Sequence, residues 1–442
     1  MNFYLKCGTV LDEVSRFRGN VKTTIFNLLN KKFINKSEVR KIYSLCIQTL
    51  QNSAKLDDAL SFLSVTKKVP IKNKNLAKVL LNELLFGKFK TVKGGGHLKK
   101  VLTENLPAIK KELNITDTDN GESQPKNKLI KSQVFIRIIQ ERVPLDYFKK
   151  FETENEIIID NIVPNSLTMG YSAYQKLREL EDFNVQKTYV LQSKSSCLPP
   201  VCLRDYLAKF EIEDEFDIID GCSAPGNKTL QIAEYFPKSK VFGVEKNPRR
   251  FQTLCERVKL YGLSNINCVN ADFFTLDPED IRFSKVKIIA LDPSCSGTGM
   301  QNQLEGTKLD CDASNFEEKV AERWAAMASE DQNRIKKLGA MQFELLEHAL
   351  KFPKLCYLVY STCSIYIEEN ERVVKKLLKK YPKRLQLVSV LPKWEIRGFT
   401  SQFPGAKKCI REIPGRDSND GFFVAMFRVT SAVVEDNVVK AQ

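Results

Sequence analysis

From Phe216 onward, short apolar runs alternate with helical stretches: Phe216 to Asp220, Lys240 to Glu245, Ile266 to Asp272, Val286 to Asp292 and Cys356 to Ser361. This alternation constrains the fold strongly, because strands joined by helical crossovers pair in parallel and need both sheet faces covered. Leu385 to Val390 and Phe422 to Val429 supply two final strands. The expectation is an α/β fold with a seven-stranded, doubly wound, Rossmann-like sheet. Ile335, Leu338, Met341, Leu345 and Ala349 fall on one face of a long helix before the fifth strand and read as core.

Residues 1–114 have a different pattern. Ile25, Leu28, Leu29 and Phe33, and later Leu60, Phe62 and Leu63, recur at helical spacing with lysines between them, and no catalytic signature is present. This reads as a helical N-terminal domain, broken at Gly94 to Gly96. The polar, turn-rich run 115–128 (ITDTDNGESQPKNK if read from Ile115) is the expected linker.

The chain of 442 residues is long enough for at least two domains. No run approaches the roughly 20 uninterrupted apolar residues of a membrane helix. The opening MNFYLKCGTVLDEV lacks the parts of a secretory signal, so an intracellular protein is expected. Twelve cysteines without a Cys-x-x-Cys pair then read as reduced thiols. His97 and His348 are far apart in unrelated contexts, so no metal site is expected. The net charge of +15 favours a polyanionic partner, which charge alone does not identify.

The strand FDIID runs directly into GCSAPGNKT, which places a small-residue turn at the carboxyl end of the first strand, where open α/β sheets bind ligands. Ser223, Ala224 and Gly226 allow close main-chain approach, a helix starting near Thr229 offers its positive end, and Lys228 adds a full charge. The spacing is neither a Walker A loop nor Gly-x-Gly-x-x-Gly. Glu245, about 20 residues downstream, is placed to take ribose hydroxyls, and Asp272 to take an adenine amino group. Each acid alone could be a helix cap; three motifs on successive strand ends together suggest an adenosyl cofactor.

The fourth strand ends in ALDPSCSGTGM and the fifth in VYSTCSIYIEENE, so Asp292, Cys295 and Cys363 lie on the same edge as the turn. Flanking Ser, Thr and Gly indicate that both thiols face a cleft. Methylation of cytosine at carbon 5 requires such a group, because that carbon attacks a methyl donor only after a thiolate has added at carbon 6. Lys228 is a candidate to favour the thiolate, Asp292 to contact the ring edge, and a second cysteine to assist release.

The runs DGCSAPGNKT, LDPSCSGTGM and YSTCSIYIEENE closely resemble those of the Nop/Sun-domain RNA cytosine-5 methyltransferases. The likeness spans about residues 129–429, with VFIRII near 135, LQSKSSCLPP from Leu191 and NDGFFVAMF from Asn419. Asn227 in place of a second glycine, together with SGTGM, resembles the fifth-member branch, which acts on large-subunit rRNA. The resemblance implies Cys363 as nucleophile and Cys295 in product release, with Asp292 and Lys228 beside them. It also implies S-adenosyl-L-methionine held by Cys222, Ser223, Ala224, Pro225, Gly226, Asn227, Lys228, Glu245, Arg250, Asp272 and Asp292.

On this reading, residues 129–200 form the RNA-binding part of the methyltransferase module, 201–430 the catalytic domain and 431–442 a tail. Arg137, Lys149 and Lys150 are candidate phosphate contacts. The expected partner is RNA, large-subunit rRNA or a preribosomal particle, bound by a monomer in the nucleolus and not by way of a membrane. Two other readings stay open: an assembly factor with dispensable methylation, and a DNA methyltransferase. The chain departs from the family at Ile136 to Val143 (IRIIQERV) and at Ser193, which stands where an acid is usual. Gln301 to Ala321 reads as a polar surface loop before a helix at Trp324, with no role for Cys311.

Overall fold

The computed structural model describes residues 3–17, 21–65, 71–87, 89–94, 96–115, 133–139, 157–179, 188–210, 215–300, 311–416 and 420–430. The proposed linker after Ile115, Lys149, Lys150, the run 301–310 and the tail 431–442 lie outside them. The described residues belong to two compact units, one within 3–115 and one within 133–430.

The first unit is helical: α1 (Phe3–Phe17), α2 (Val21–Asn30), α3 (Val39–Gln51), α4 (Ser53–Val65), α5 (Lys74–Phe86), α6 (His97–Glu104) and α7 (Leu106–Glu112). Their apolar stripes meet in one core, where Ile25, Leu28, Leu60 and Leu63 are buried with Val10, Ile42 and Leu81. Lys31, Lys32, Lys36 and Lys41 stay exposed, whereas Lys6 is buried and paired with Glu38 at 2.6 Å.

The second unit opens with a small antiparallel sheet, order β2-β3-β1-β4, from β1 (Val134–Ile138), β2 (Ile157–Ile159), β3 (Ser166–Met169) and β4 (Tyr189–Leu191), joined by α8 (Tyr171–Arg178). Arg137 on β1, one of the candidates for holding RNA phosphates, is 1% exposed. Its guanidinium pairs with Glu234, reaches Gln192 Oε1 at 3.4 Å and lies 5.9 Å from the Tyr261 ring. A charge this deep is tolerated because a carboxylate meets it, so Arg137 joins the small sheet to the layer behind and is closed to phosphate.

The large sheet comprises β5 (Asp217–Asp220), β6 (Val241–Val244), β7 (Ile266–Val269), β8 (Val286–Leu291), β9 (Tyr357–Thr362), β10 (Leu385–Val388), β11 (Ile410–Glu412) and β12 (Phe422–Val429). Its order is β10-β12-β9-β8-β5-β6-β7, with β11 paired to β12 off this path. The sheet therefore has eight strands where seven were expected. The extra strand, Ile-Arg-Glu, hides in the sequence because its charged residues are buried: Arg411 is neutralised by Glu371.

Strands β5 to β9 run parallel and β12 enters antiparallel between β9 and β10. Successive residues go to opposite cores. Ile219, Ile289, Leu291, Leu358 and Tyr360 pack on one face; Ile218, Ile288, Ala290 and Val359 pack on the other. Both faces are covered, which is why these strands read as continuous apolar runs.

The covering helices are α9 (Lys194–Leu207), α10 (Asn227–Tyr235), α11 (Pro248–Tyr261), α12 (Phe316–Ala325), α13 (Ser329–Ala349) and α14 (Glu371–Lys380). Helix α12 begins at Phe316, not at Trp324, because buried Phe316 packs edge-on against Phe399 and Glu317 and Glu318 favour the helix amino end. Cys311 packs beside this cluster. On α13 the buried stripe runs through Ile335, Gly339, Gln342, Leu346 and Ala349, while Leu338 and Met341 are only half-buried. The stripe is displaced from the apolar one because Gln342 points inward to bond a loop at the strand ends.

Candidate active site

The sheet order reverses between β5 and β8, and the turn after β5 lies at that switch point. Gly221 leaves no room for a side chain: a Cβ there would sit 2.5 Å from Leu291 Cδ2 and 2.9 Å from Phe273 Cδ2. Ser223 ties the turn across the end of β6, donating from N and Oγ to the Val244 carbonyl at 3.0 and 2.8 Å. Ala224 is buried beyond it and Pro225 is exposed at the outer edge. Gly226 has φ +106°, and its N–H closes the turn on the Ser223 carbonyl at 2.7 Å.

Helix α10 therefore starts at Asn227, before the expected Thr229, and points its positive end at the turn. Asn227 accepts from the Arg257 guanidinium and donates to the Leu191 carbonyl at 3.4 Å, so it joins α10, α11 and β4. A glycine could form neither bond. Ser193, where an acid is usual, caps α9 by accepting from Ser196 N at 3.3 Å.

Glu245 follows β6 and is 4% exposed, accepting from Asn247 N at 2.8 Å. Arg250 lies between the Glu245 carboxylate, at 3.5 Å, and the Ala224 carbonyl, so it braces the acid against the turn. Asp272 does not end a strand: β7 stops at Val269, and Asp272 caps a 3-10 turn by accepting from Phe274 N at 3.2 Å. It also lies 3.5 Å from Lys246 Nζ, with its side chain about a third exposed. Burial drives the Cys222 thiol far above its ordinary pKa, so among the turn residues it offers no nucleophile.

Asp220, which the sequence reading passed over, ends β5 beneath the turn. It is 2% exposed and accepts from Thr229 Oγ1 at 2.6 Å. Burial pushes its pKa up to about 6, Lys228 opposes the rise and Asp292 adds to it. The one available signal was a carboxylate that follows two isoleucines directly at the end of the strand. Because the folded state holds this proton more tightly, its contribution to stability is fully present below 3.8 and is lost as pH rises through about 6. Denaturation midpoints of the native chain and the Asp220→Asn variant, compared across that window, should differ by this contribution: relative to the variant, the native chain should lose stability as pH rises.

Above Asp220 the chemical residues converge. Lys228 Nζ lies 2.8 Å from Asp292 Oδ2 and 2.9 Å from Ser196 Oγ, and 5.4 Å from the Phe422 ring centre. Burial works against its charge, but Asp292 outweighs burial and holds the pKa above that of an ordinary lysine; Cys363 contributes in the same direction. The second Asp292 oxygen accepts from Ser361 Oγ at 2.8 Å, so both carboxylate oxygens are oriented. Ser196 and Ser361 were not among the expected site residues.

Cys295 Sγ and Cys363 Sγ lie 3.1 Å apart, although 68 positions separate them in sequence. Contact with the Cys363 sulfur, followed by burial, raises the Cys295 pKa well above that of a free thiol. The loop between them is locked from behind: Gly299 N donates to the Cys363 carbonyl at 2.9 Å, and Gly421 N to the Gly299 carbonyl at 2.8 Å. A Cβ on Gly299 would meet the Gly421 oxygen at 2.2 Å and the Cys363 oxygen at 2.9 Å. Gly299→Ala should cost about 1–3 kcal/mol in chemical denaturation and displace Cys363, with methyl transfer lost before the fold is. Among the described residues no group of acids, histidines and cysteines is placed to hold a metal, and no helix is long and apolar enough to cross a membrane.

Comparison with known proteins extends the motif resemblance. The family described as 16S rRNA methyltransferase RsmB/F matches residues 208–428, and the NOL1/NOP2/Sun domain family member 5, N-terminal domain, matches residues 40–125. The 25S rRNA (cytosine-C(5))-methyltransferase rcm1 of Schizosaccharomyces pombe is 30% identical over 96% of this chain and 91% of its own. A 28S rRNA (cytosine-C(5))-methyltransferase of Mus musculus is 31% identical over 98% of this chain and 92% of its own. Among solved structures, PH0851 shares the fold with a TM-score of 0.58 at 17% identity, covering 97% of this chain and 99% of that one. Sequence likeness that runs almost end to end, through both units and through every strand-end motif, establishes that the chain belongs to the NOL1/NOP2/Sun family of methyltransferases.

Proposed function

We propose that this chain is an S-adenosyl-L-methionine-dependent RNA (cytosine-5)-methyltransferase that acts on large-subunit rRNA. The observation that carries the reading is the pair of sulfurs 3.1 Å apart on neighbouring strand ends, beside the Lys228–Asp292 pair and the glycine turn. The cradle fits an adenosyl cofactor: Gly221 and Gly226 keep side chains out of the turn, α10 presents its positive end, and Glu245 closes the adjacent strand. The turn Cys222 to Lys228, with Glu245, Arg250, Asp272 and Asp292, would hold the cofactor. When bound, it supplies an electrophilic methyl group.

The residues of the chain perform the rest. Cys363 adds as thiolate to carbon 6 of the base, which makes carbon 5 electron-rich. Lys228 places positive charge near that sulfur, and Asp292, whose carboxylate is held by Lys228 and Ser361, would contact the ring edge. Once carbon 5 is substituted, its proton passes to a base, the electron pair left behind restores the carbon 5–carbon 6 double bond, and Cys363 is expelled as thiolate; Cys295, in contact with Cys363, assists that release. The base must leave its stack to reach the cleft, so a single-stranded or loop cytosine suits the site. The excess of basic residues favours the phosphate backbone.

A monomer working in the nucleolus on rRNA or a preribosomal particle completes the proposal. Methyl acceptance by large-subunit rRNA, compared with DNA of the same sequence, tests it. Labelled 5-methylcytosine in the RNA alone supports the enzyme. RNA binding without transfer would favour an assembly factor, and label in DNA would overturn the choice of substrate.

A further inference from the structure

The segment after Cys363, Ile367 to Glu371, is charged in sequence yet folds inward: Glu368, Glu369, Asn370 and Glu371 are all buried. Two neighbours in it each grip one cysteine loop. Glu369 Oε1 accepts from Ser296 N at 2.9 Å and Oε2 from Ser296 Oγ at 2.5 Å, so both groups of the residue after Cys295 are held by one carboxylate. Gln342 Nε2 on α13 donates to Glu369 Oε1 at 3.0 Å and to the Ser294 carbonyl at 3.1 Å, gripping the residue before Cys295. Tyr360 donates to the Gln342 carbonyl oxygen at 3.0 Å and fixes the orientation of the amide.

Asn370 does the same for the other loop. Its Oδ1 accepts from Thr362 Oγ1 at 2.6 Å and its Nδ2 donates to the Ser364 carbonyl at 2.9 Å, so it holds the residues on both sides of Cys363. Buried carboxylates and amides are kept only where hydrogen bonds repay desolvation, and here the bonds from Glu369 to Ser296 and from Asn370 to Thr362 and Ser364 end next to a cysteine.

We propose that Glu369 and Asn370 are positioning residues that set the separation of the two sulfurs, with Glu369 controlling the release step through Ser296 and Gln342, and Asn370 controlling attack through the residues flanking Cys363. Neither touches the base. This rests on the two-cysteine reading above and assigns a division of labour within it, between loops that also touch each other where Ser296 Oγ meets Ser364 Oγ at 3.1 Å.

The test uses the full chain with large-subunit rRNA and labelled methyl donor, comparing native protein, Cys295→Ala, Glu369→Gln and Asn370→Ala on a denaturing gel and in multiple turnover. Glu369→Gln should turn over about tenfold more slowly, the contribution of one charge-assisted hydrogen bond, while covalent protein–RNA adduct accumulates as in Cys295→Ala. Asn370→Ala should lose adduct and turnover together. A purely architectural Glu369 would lower attack and release in parallel, leaving no adduct, and that result overturns the proposal, as does unchanged turnover in Glu369→Gln. If Glu369→Gln does not fold, Ser296→Ala removes the 2.5 Å contact together with the bonds of Ser296 Oγ to Thr298 and Ser364, keeps the Ser296 N–H on Glu369, and must also accumulate adduct. Adduct in Cys295→Ala but not in the Glu369 or Ser296 variants defeats this inference only; no adduct in Cys295→Ala defeats the two-cysteine reading, and this inference with it.

Discussion

Cys363→Ala should abolish methyl transfer, by about four orders of magnitude or more, because loss of a covalent nucleophile leaves only binding and orientation to act. Cys295→Ala should behave in the opposite way on a denaturing gel, remaining attached to RNA. The sulfurs are 3.1 Å apart, so Cys295 stands within reach of the adduct that Cys363 forms. Lys228, locked as a cation by Asp292, places its charge near Cys363. A covalent band only in Cys295→Ala would establish both roles. A band only in Cys363→Ala would exchange them, and an unlabelled RNA in every lane would turn the reading toward an assembly factor.

The second large effect is on stability. Arg411 is fully buried, bonds Glu371 through Nε at 2.7 Å and Nη2 at 2.5 Å, and donates from Nη1 to the Ile365 carbonyl at 2.8 Å. Its guanidinium lies 3.9 Å from the Phe399 ring centre. Arg411→Met leaves the Glu371 carboxylate buried without its cation, and should lower the unfolding free energy by about 3–5 kcal/mol. The double variant Arg411→Met, Glu371→Leu should recover most of that loss, since the cost lies in the stranded charge and not in the missing attraction. Denaturant midpoints for the four proteins of this cycle would decide; equal losses in the single and double variants would refute the argument.

The cofactor end and the chemical end were largely legible in the sequence for a local reason. A strand running into GCSAPGNKT, and acids or cysteines at later strand ends, are short-range patterns, and a parallel sheet collects all its carboxyl ends on one edge. The small sheet was not legible as strands, because segments of three to five residues are too short for alternation to register. Arg137 was misplaced for a related reason: an arginine in a strand looks exposed until its counter-ion, Glu234, arrives from a helix 97 positions later. Asp272 shows the limit of reading strand ends, since the strand stops short of it and leaves it capping a turn.

What the sequence by itself determined, then, is the α/β class, the turn that cradles a cofactor and the two cysteine motifs, because each depends on residues close together in the chain. Only the tertiary structure decided that the sulfurs touch, that Lys228 is committed to Asp292, that Asp220 is a buried carboxylate, and that the charged run after Cys363 folds inward around both loops. Those outcomes depend on strand order, which seats β8 between β5 and β9, and on which charges find partners once they are removed from water.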